Sequence, residues 1–380
     1  MRPRRANSWR VLPLLFLLVS LAACAGEQGP TDTSGDYRVV PLVQGLSHPW
    51  ALVFLPDGDI LISERPGRLR IFRDGRLLPE PVQGLPRVTA TGQGGLLDLA
   101  LHPEFEQNRW LYFTHAASVG SGVTTRLARA RLEDDRLTDA EILFTAEPAS
   151  RGGRHFGGRI VFDRDGYVFV SVGDRGDRPR AQQLDDHAGS IIRLHDDGRV
   201  PEDNPFVEDG AVRPEIYAYG VRNPQGMALH PETGALWEQE HGPRGGDEIN
   251  IIEPGLNYGW PVITHGIDYS GAVIGEGIRE KEGMEQPLHH WTPSIAPSGM
   301  AFYQGDAFPD WNGDLLVGAL AHRHLARLTL DDDNTVVSEA RMLEAQNRRI
   351  RDVHVHDGLI YVLTDHDPGE LLRIEPPAQP

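Results

Sequence analysis

Four segments of this 380-residue chain carry more chemistry than a plain structural strand requires. In Arg154–Gly176, His155 stands in a glycine-flanked loop just before an apolar strand, and a loop imidazole accepts a proton near neutral pH without a large pKa shift. In Arg348–Asp365, Arg349 and Arg351 alternate onto one face of an extended segment, where two guanidinium groups could clamp carboxylates. Solvated charges on a sheet edge give the same pattern. Tyr219–Pro261 is the densest segment. It holds Arg222-Asn223, a His241-Gly242-Pro243 turn, and Asp247, Glu248 and Tyr258 in loop-rich sequence suited to oxygen coordination of Ca²⁺, without the spacing of an EF-hand. In Thr91–Phe105, Gly92, Gly94 and Gly95 surround Gln93 and would let the backbone approach a flat ligand, or would simply close a tight loop between repeats. A Rossmann loop is excluded there, because Leu97 stands where the last glycine is needed and no helix follows.

Composition removes several other chemistries. Lys281 is the only lysine, which argues against Schiff-base catalysis and leaves arginine as the cation of any site. Cys24 is the only cysteine, so neither an internal disulfide nor a cysteine-based zinc site can form. No Gly-x-Ser-x-Gly nucleophile elbow occurs. The formal charge is −18 at pH 7, and such a surface repels nucleic acid.

The elements that must position these residues are short strands in a repeating arrangement. Trp50 to Ser63 reads as two strands around a Pro56-Asp57-Gly58 turn, with Arg68 to Phe72 as a third. Related units begin near Leu99, Ile160, Met227, Met300 and Val353, which makes six. Glycine and proline, 42 and 29 residues, interrupt the chain too often for ordinary helices. The pattern predicts an all-β, six-bladed β-propeller over residues 37–376, with a site assembled from loops far apart in sequence. Upstream, Arg2, Arg4, Arg5 and Arg10 followed by the apolar run Val11 to Ala23 read as a signal peptide, residues 1–23. The ending Leu21-Ala22-Ala23-Cys24 is similar to a bacterial lipobox. Cys24 is therefore expected to carry a lipid anchor outside the cytoplasm, with residues 24–36 as a flexible tether.

Taken together, the four segments resemble the soluble pyrroloquinoline-quinone-dependent glucose and aldose sugar dehydrogenases, from about Leu46 to Asp365. The resemblance implies an enzyme, monomeric or homodimeric, that binds pyrroloquinoline quinone and Ca²⁺. It would oxidise aldose sugars at C1 to lactones by hydride transfer and pass electrons to an external acceptor. Carried across by motif, His155 is the general base and Arg222 a catalytic and cofactor contact. Gln93, Asn223, Arg349 and Arg351 contact the cofactor, with Ala319, Leu320 and Ala321 beside it. Tyr269 and Asp247 lie near cofactor or substrate. A catalytic Ca²⁺ is implied at the backbone carbonyls of Gly242 and Pro243, and a structural one at Glu248 and Tyr258. Two positions depart from the family pattern. Ala321 stands where a lysine often pairs with a cofactor carboxylate, leaving Arg323 or His322 to compensate. Arg154 precedes the base where glucose-oxidising members carry an acid, which weakens the case for glucose itself. A Ca²⁺-dependent propeller hydrolase and a catalytically silent interaction propeller are the alternatives.

Overall fold

The computed structural model describes residues 33–378; the leader, Cys24 and most of the proposed tether lie outside the described residues. Strands dominate, and the one α-helix among the described residues is the short Phe105–Asn108. Among the described residues, twenty-five strands form six antiparallel sheets, five of four strands and one of five. The innermost strands are Pro49–Phe54, Leu96–Leu101, Ile160–Phe162, Pro224–Leu229, Pro297–Phe302 and Ile350–His356, close to where the six repeats were expected to begin. Each touches the innermost strand of the next blade, and Ile350–His356 touches Pro49–Phe54, so the ring closes as a six-bladed β-propeller.

Closure uses both ends of the described chain. Tyr37–Leu46 pairs with Gly369–Glu375 from Arg38↔Glu375 to Leu46↔Gly369, so an N-terminal strand completes the last blade. This arrangement gives the last blade its outer strand and makes the ring depend on its first and last strands together. The apolar core is correspondingly divided into one cluster per gap between blades. Leu61, Phe113 and Phe156 fill the first gap, and Tyr112, Val170 and Ile216 the second. Val221 and Met227, Trp237 and Phe302, Tyr303 and Val362, and Leu52 and Leu363 mark the remaining four. Long loops absorb the excess length of the repeats, chiefly residues 195–215 in the third blade and 253–288 in the fourth. No helix of the described residues is long and apolar enough to cross a membrane.

Candidate active site

The topology explains why residues from all six blades reach one place. Each inner strand runs antiparallel to the second strand of its blade, so the start of the first lies beside the end of the second. The pairs Pro49↔Glu64, Pro224↔Glu240, Pro297↔Ala319 and Ile350↔Thr364 show this directly. Loops entering the first strands and leaving the second strands therefore share one rim of the ring. A cavity of about 260 Å³ opens there. Its lining takes Trp50, Gln93, Asn223, Ala296 and Arg349 from the entering side, and Arg65, His241, Leu320 and Asp365 from the leaving side.

His155 sits beside this cavity in a left-handed backbone conformation, φ 53°, unusual for a residue with a side chain. Two contacts hold it there. Gln93 Oε1 accepts the His155 amide at 2.7 Å, and His155 Nδ1 lies 2.6 Å from Asp174 Oδ1. Asp174 is fixed in turn by Trp260 Nε1 at 2.8 Å and the Gly176 amide at 2.7 Å. With a carboxylate on Nδ1, the ring proton belongs on Nδ1 and the lone pair on Nε2. Nε2 makes no hydrogen bond with any described residue. Burial lowers the His155 pKa, Asp174 raises it, and Arg222 and Arg154 lower it again. The net shift is downward, which keeps the imidazole neutral and its Nε2 lone pair free to accept a proton. Burial pushes Asp174 up, but its hydrogen bond to His155 and the charges around it outweigh this and hold it ionised.

The far wall of the cavity is cationic. Asp365 Oδ2 accepts from Arg349 at 3.0 Å and from Arg351 at 3.1 Å. Burial opposes a charge on Asp365, yet the Arg351 and Arg349 guanidiniums win and hold it well below the usual carboxylate range. Arg349 also donates to Leu320 O at 3.1 Å, and Arg351 to Gln225 Oε1 at 3.2 Å. The buried Nε atoms of Arg351 and Arg222 have no acceptor among the described residues. Such orphaned donors are costly and await an acceptor.

Arg222, Asn223 and the Gly242 turn form one unit. Arg222 Nη1 donates to His241 O at 2.7 Å and Gly242 O at 2.9 Å, and its guanidinium stands 5.2 Å from the centre of the Trp260 ring. The Arg222 and Asn223 amides both donate to Glu240 Oε2, the latter at 3.1 Å. Asp247 lies under this unit. Its two oxygens accept Gly242 N, Ile295 N and Ala296 N at 2.8–2.9 Å and Ser294 Oγ at 2.8 Å, so it fastens the Gly242 turn to the fifth blade. Beside it, Glu238, Glu240 and Glu248 are all buried on paired strands. Burial and mutual repulsion drive Glu238 and Glu248 well above the carboxylate range, and burial pushes Glu240 up to about 8. Glu238 Oε1 and Asn250 Oδ1 lack donors among the described residues. No three His, Cys, Asp or Glu side chains among the described residues are spaced to hold a metal by themselves. A cation with backbone ligands would relieve the repulsion that keeps these carboxyls protonated and let them ionise.

The cavity therefore brings together Gln93, Asn223, Leu320, Arg349 and Arg351, with His155 and Arg222 adjoining. Other expected residues stand apart from its lining. Tyr269 is 68% exposed on a loop tied down by Arg178 and Asp268. Ala319 is buried in its strand, and Ala321 is exposed, donating to Ile295 O at 2.9 Å. The Tyr258 hydroxyl is engaged by Ile251 O at 2.6 Å and Glu253 N at 2.8 Å, so only its backbone carbonyl is open to a metal. Arg323 donates to Asn347 at 3.1 Å and neither it nor His322 lines the cavity. Sequence reasoning missed Trp50, Arg65, Gln225, Asp174, Trp260 and Asp365. Asp174 and Asp365 lay within the segments already singled out, but nothing local distinguishes them from turn carboxylates. The glycines of Gly92-Gln93-Gly94-Gly95 answer to neighbouring chain rather than to a ligand: a Cβ there would meet Gly153 O at 2.1 Å, Phe156 at 2.6 Å and Arg65 O at 2.0 Å respectively.

Comparison with known proteins bears on what this rim does. The profile of the glucose/sorbosone dehydrogenase family matches residues 46–373. The aldose sugar dehydrogenase of Escherichia coli is 48% identical over 368 residues, covering 95% of this chain and 98% of that protein. Quinoprotein glucose dehydrogenase B of Acinetobacter calcoaceticus is 29% identical over 437 residues, covering 92% and 90%. The solved structure of a pyrroloquinoline-quinone-bound aldose sugar dehydrogenase from Streptomyces coelicolor superposes with a TM-score of 0.74 at 26% identity, covering 91% and 99%.

Proposed function

This chain belongs to the glucose/sorbosone dehydrogenase family of oxidoreductases, and from that membership and the rim site we propose that it oxidises aldose sugars at C1 to lactones. Pyrroloquinoline quinone is the hydride acceptor, His155 the general base, and Ca²⁺ the associated metal. The observation that carries the reading is the Asp174-oriented imidazole of His155 beside an arginine-walled cavity. The cavity fits the quinone's chemistry. Trp50 would offer it a flat wall, Arg349 and Arg351 would pair with its carboxylates, and the orphaned Nε atoms of Arg222 and Arg351 need acceptors. Gln93 and Asn223 would complete the polar contacts. Bound there, the quinone supplies an electrophilic carbon that takes the hydride from the sugar.

The chain's own residues supply the rest. Asp174 orients the ring and stabilises the imidazolium that forms when Nε2 takes the proton of the anomeric hydroxyl. Arg222 is aimed by Gly242 O and held against Trp260, where its charge counters negative charge developing on the acceptor's oxygen. The carbonyls of Gly242 and Pro243 are the proposed ligands of one Ca²⁺, and the Glu248 cluster, with the Tyr258 carbonyl, gives a second a reason to bind. We further propose that the protein is exported and held by a lipid on Cys24. The test of activity is dye reduction by purified protein with aldoses, expected only after quinone and Ca²⁺ are added together. Equal reduction without quinone would refute the cofactor assignment.

A further inference from the structure

Of the three arginines lining the rim cavity, Arg65 alone makes no hydrogen bond or ion pair through its side chain with any described residue. Its placement is nevertheless tightly built. It opens the three-residue turn Arg65-Pro66-Gly67 between the paired ends Glu64↔Arg68, a turn closed by Gly67 N to Glu64 O at 2.9 Å. Its amide donates to His48 O at 3.0 Å and its carbonyl accepts Leu96 N at 3.0 Å. The stem passes over Gly95, where an added Cβ would lie 2.5 Å from Arg65 Cγ. Glu64, buried next in sequence, does not neutralise it: its oxygens take Ser47 N at 2.7 Å and Arg68 Nε at 2.6 Å. A half-buried guanidinium directed by its backbone into a polar cavity, without a partner, is a vacant anion site.

Charge counting says which anion. Arg349 and Arg351 share Asp365, so together they offer the cavity one net positive charge, to which the adjoining Arg222, held by carbonyls, adds one more. A tricarboxylate needs more than that to leave water. Ala321 and its neighbours add nothing, since Ala321 is exposed and Arg323 turns to Asn347. The geometry points to Arg65 as a further anchoring cation, on the first blade, two blades from the Leu320 strand end of the fifth, that pairs with a carboxylate of the bound quinone. This inference rests on the cofactor reading above and adds to it a residue that directly sets cofactor affinity.

The test titrates the metal-replete full-length apoprotein with pyrroloquinoline quinone and reads the dissociation constant by the cofactor's absorbance. Arg65→Met should weaken binding by about 10- to 150-fold, the range for loss of a charge-assisted hydrogen bond. Arg65→Lys should recover part of it, and the wild-type advantage should shrink at high salt. The melting temperature of the quinone-free Met variant should match wild type, because the guanidinium holds nothing in the protein. Wild-type binding with an unchanged constant in Arg65→Met overturns the inference and leaves the cofactor reading intact. A raised KM for sugar at saturating quinone, with quinone affinity unchanged, also overturns it by assigning Arg65 to the substrate. Absence of quinone binding by wild type defeats both.

Discussion

At the scale of single residues, the account turns on His155, and its consequences are kinetic. Replacing it with Gln should leave quinone binding nearly intact while lowering kcat by about 10²- to 10⁴-fold, the usual contribution of a general base. The pH dependence follows from the direction of its shift. Because burial and the nearby arginines depress the imidazole pKa, the neutral base persists below its ordinary 6.5. The acid limb of kcat/KM should therefore fall below that value, activity being lost as pH drops through the lowered pKa. An acid limb well above 6.5 would mean that another group titrates. The sequence made His155 visible through its glycine-flanked loop, and Arg349 and Arg351 through their alternation. It could not reveal Asp174, Trp260 or Asp365, because their significance is the partner each meets: Asp174 and Asp365 face residues 19 and 14–16 positions away across the paired strands of their own blades, and Trp260 meets Asp174 from the neighbouring blade, 86 positions away. Asp247 shows the converse. A position expected near the ligand is saturated by three amides and a hydroxyl, and acts by holding the Gly242 turn.

At the scale of elements, the paired strands Leu236–Glu240 and Asp247–Ile252 store an electrostatic conflict that a cation would relieve. Glu238, Glu240 and Glu248 have folded-state pKa values raised above their unfolded ones. Between the unfolded value near 4.5 and the folded value of about 8 for Glu240, the folded protein holds protons that the unfolded chain has released. Without metal, stability should thus decline as pH rises through that window. Added Ca²⁺ should raise the melting temperature by about 3–5 °C at 100-fold excess over Kd, more at about pH 8 than at about pH 5.5. Melting that is identical in Ca²⁺ and in chelator at both pH values would remove the metal from the account. The strand repeat itself was legible, since the Pro-Asp-Gly turn and the alternating strands around it are local signals. The shared rim was not, because it arises from antiparallel pairing repeated around a ring.

At the scale of the whole molecule, the ring is joined at its axis as well as at its seam. Arg159 reaches from the third blade to Asp98 at 3.2 Å and Asp352 at 2.8 Å, and its guanidinium lies 4.2 Å from the centre of the Trp50 ring. Four blades thereby meet beneath the cavity that Trp50 lines. Neither this contact nor pairing of Tyr37–Leu46 with the last blade is visible in the repeat pattern, since both are decided by ring closure. Preceding the described residues, Cys24 carries its own expectation: intact mass of the native mature protein should show a diacylglyceryl-modified N-terminal cysteine, and Cys24→Ser should release the protein from membranes. An unmodified thiol would refute the anchor. The central claim is that this rim oxidises sugars through a bound quinone with His155 as base. Its most direct measurement is the absorbance spectrum of quinone- and Ca²⁺-reconstituted protein mixed rapidly with an aldose, for wild type and His155→Gln side by side. Wild type should convert rapidly to the reduced cofactor's spectrum, and a bound but oxidised spectrum should persist about 10²- to 10⁴-fold longer in the variant. Equal reduction rates in the two proteins, or no spectral change in either, would contradict it.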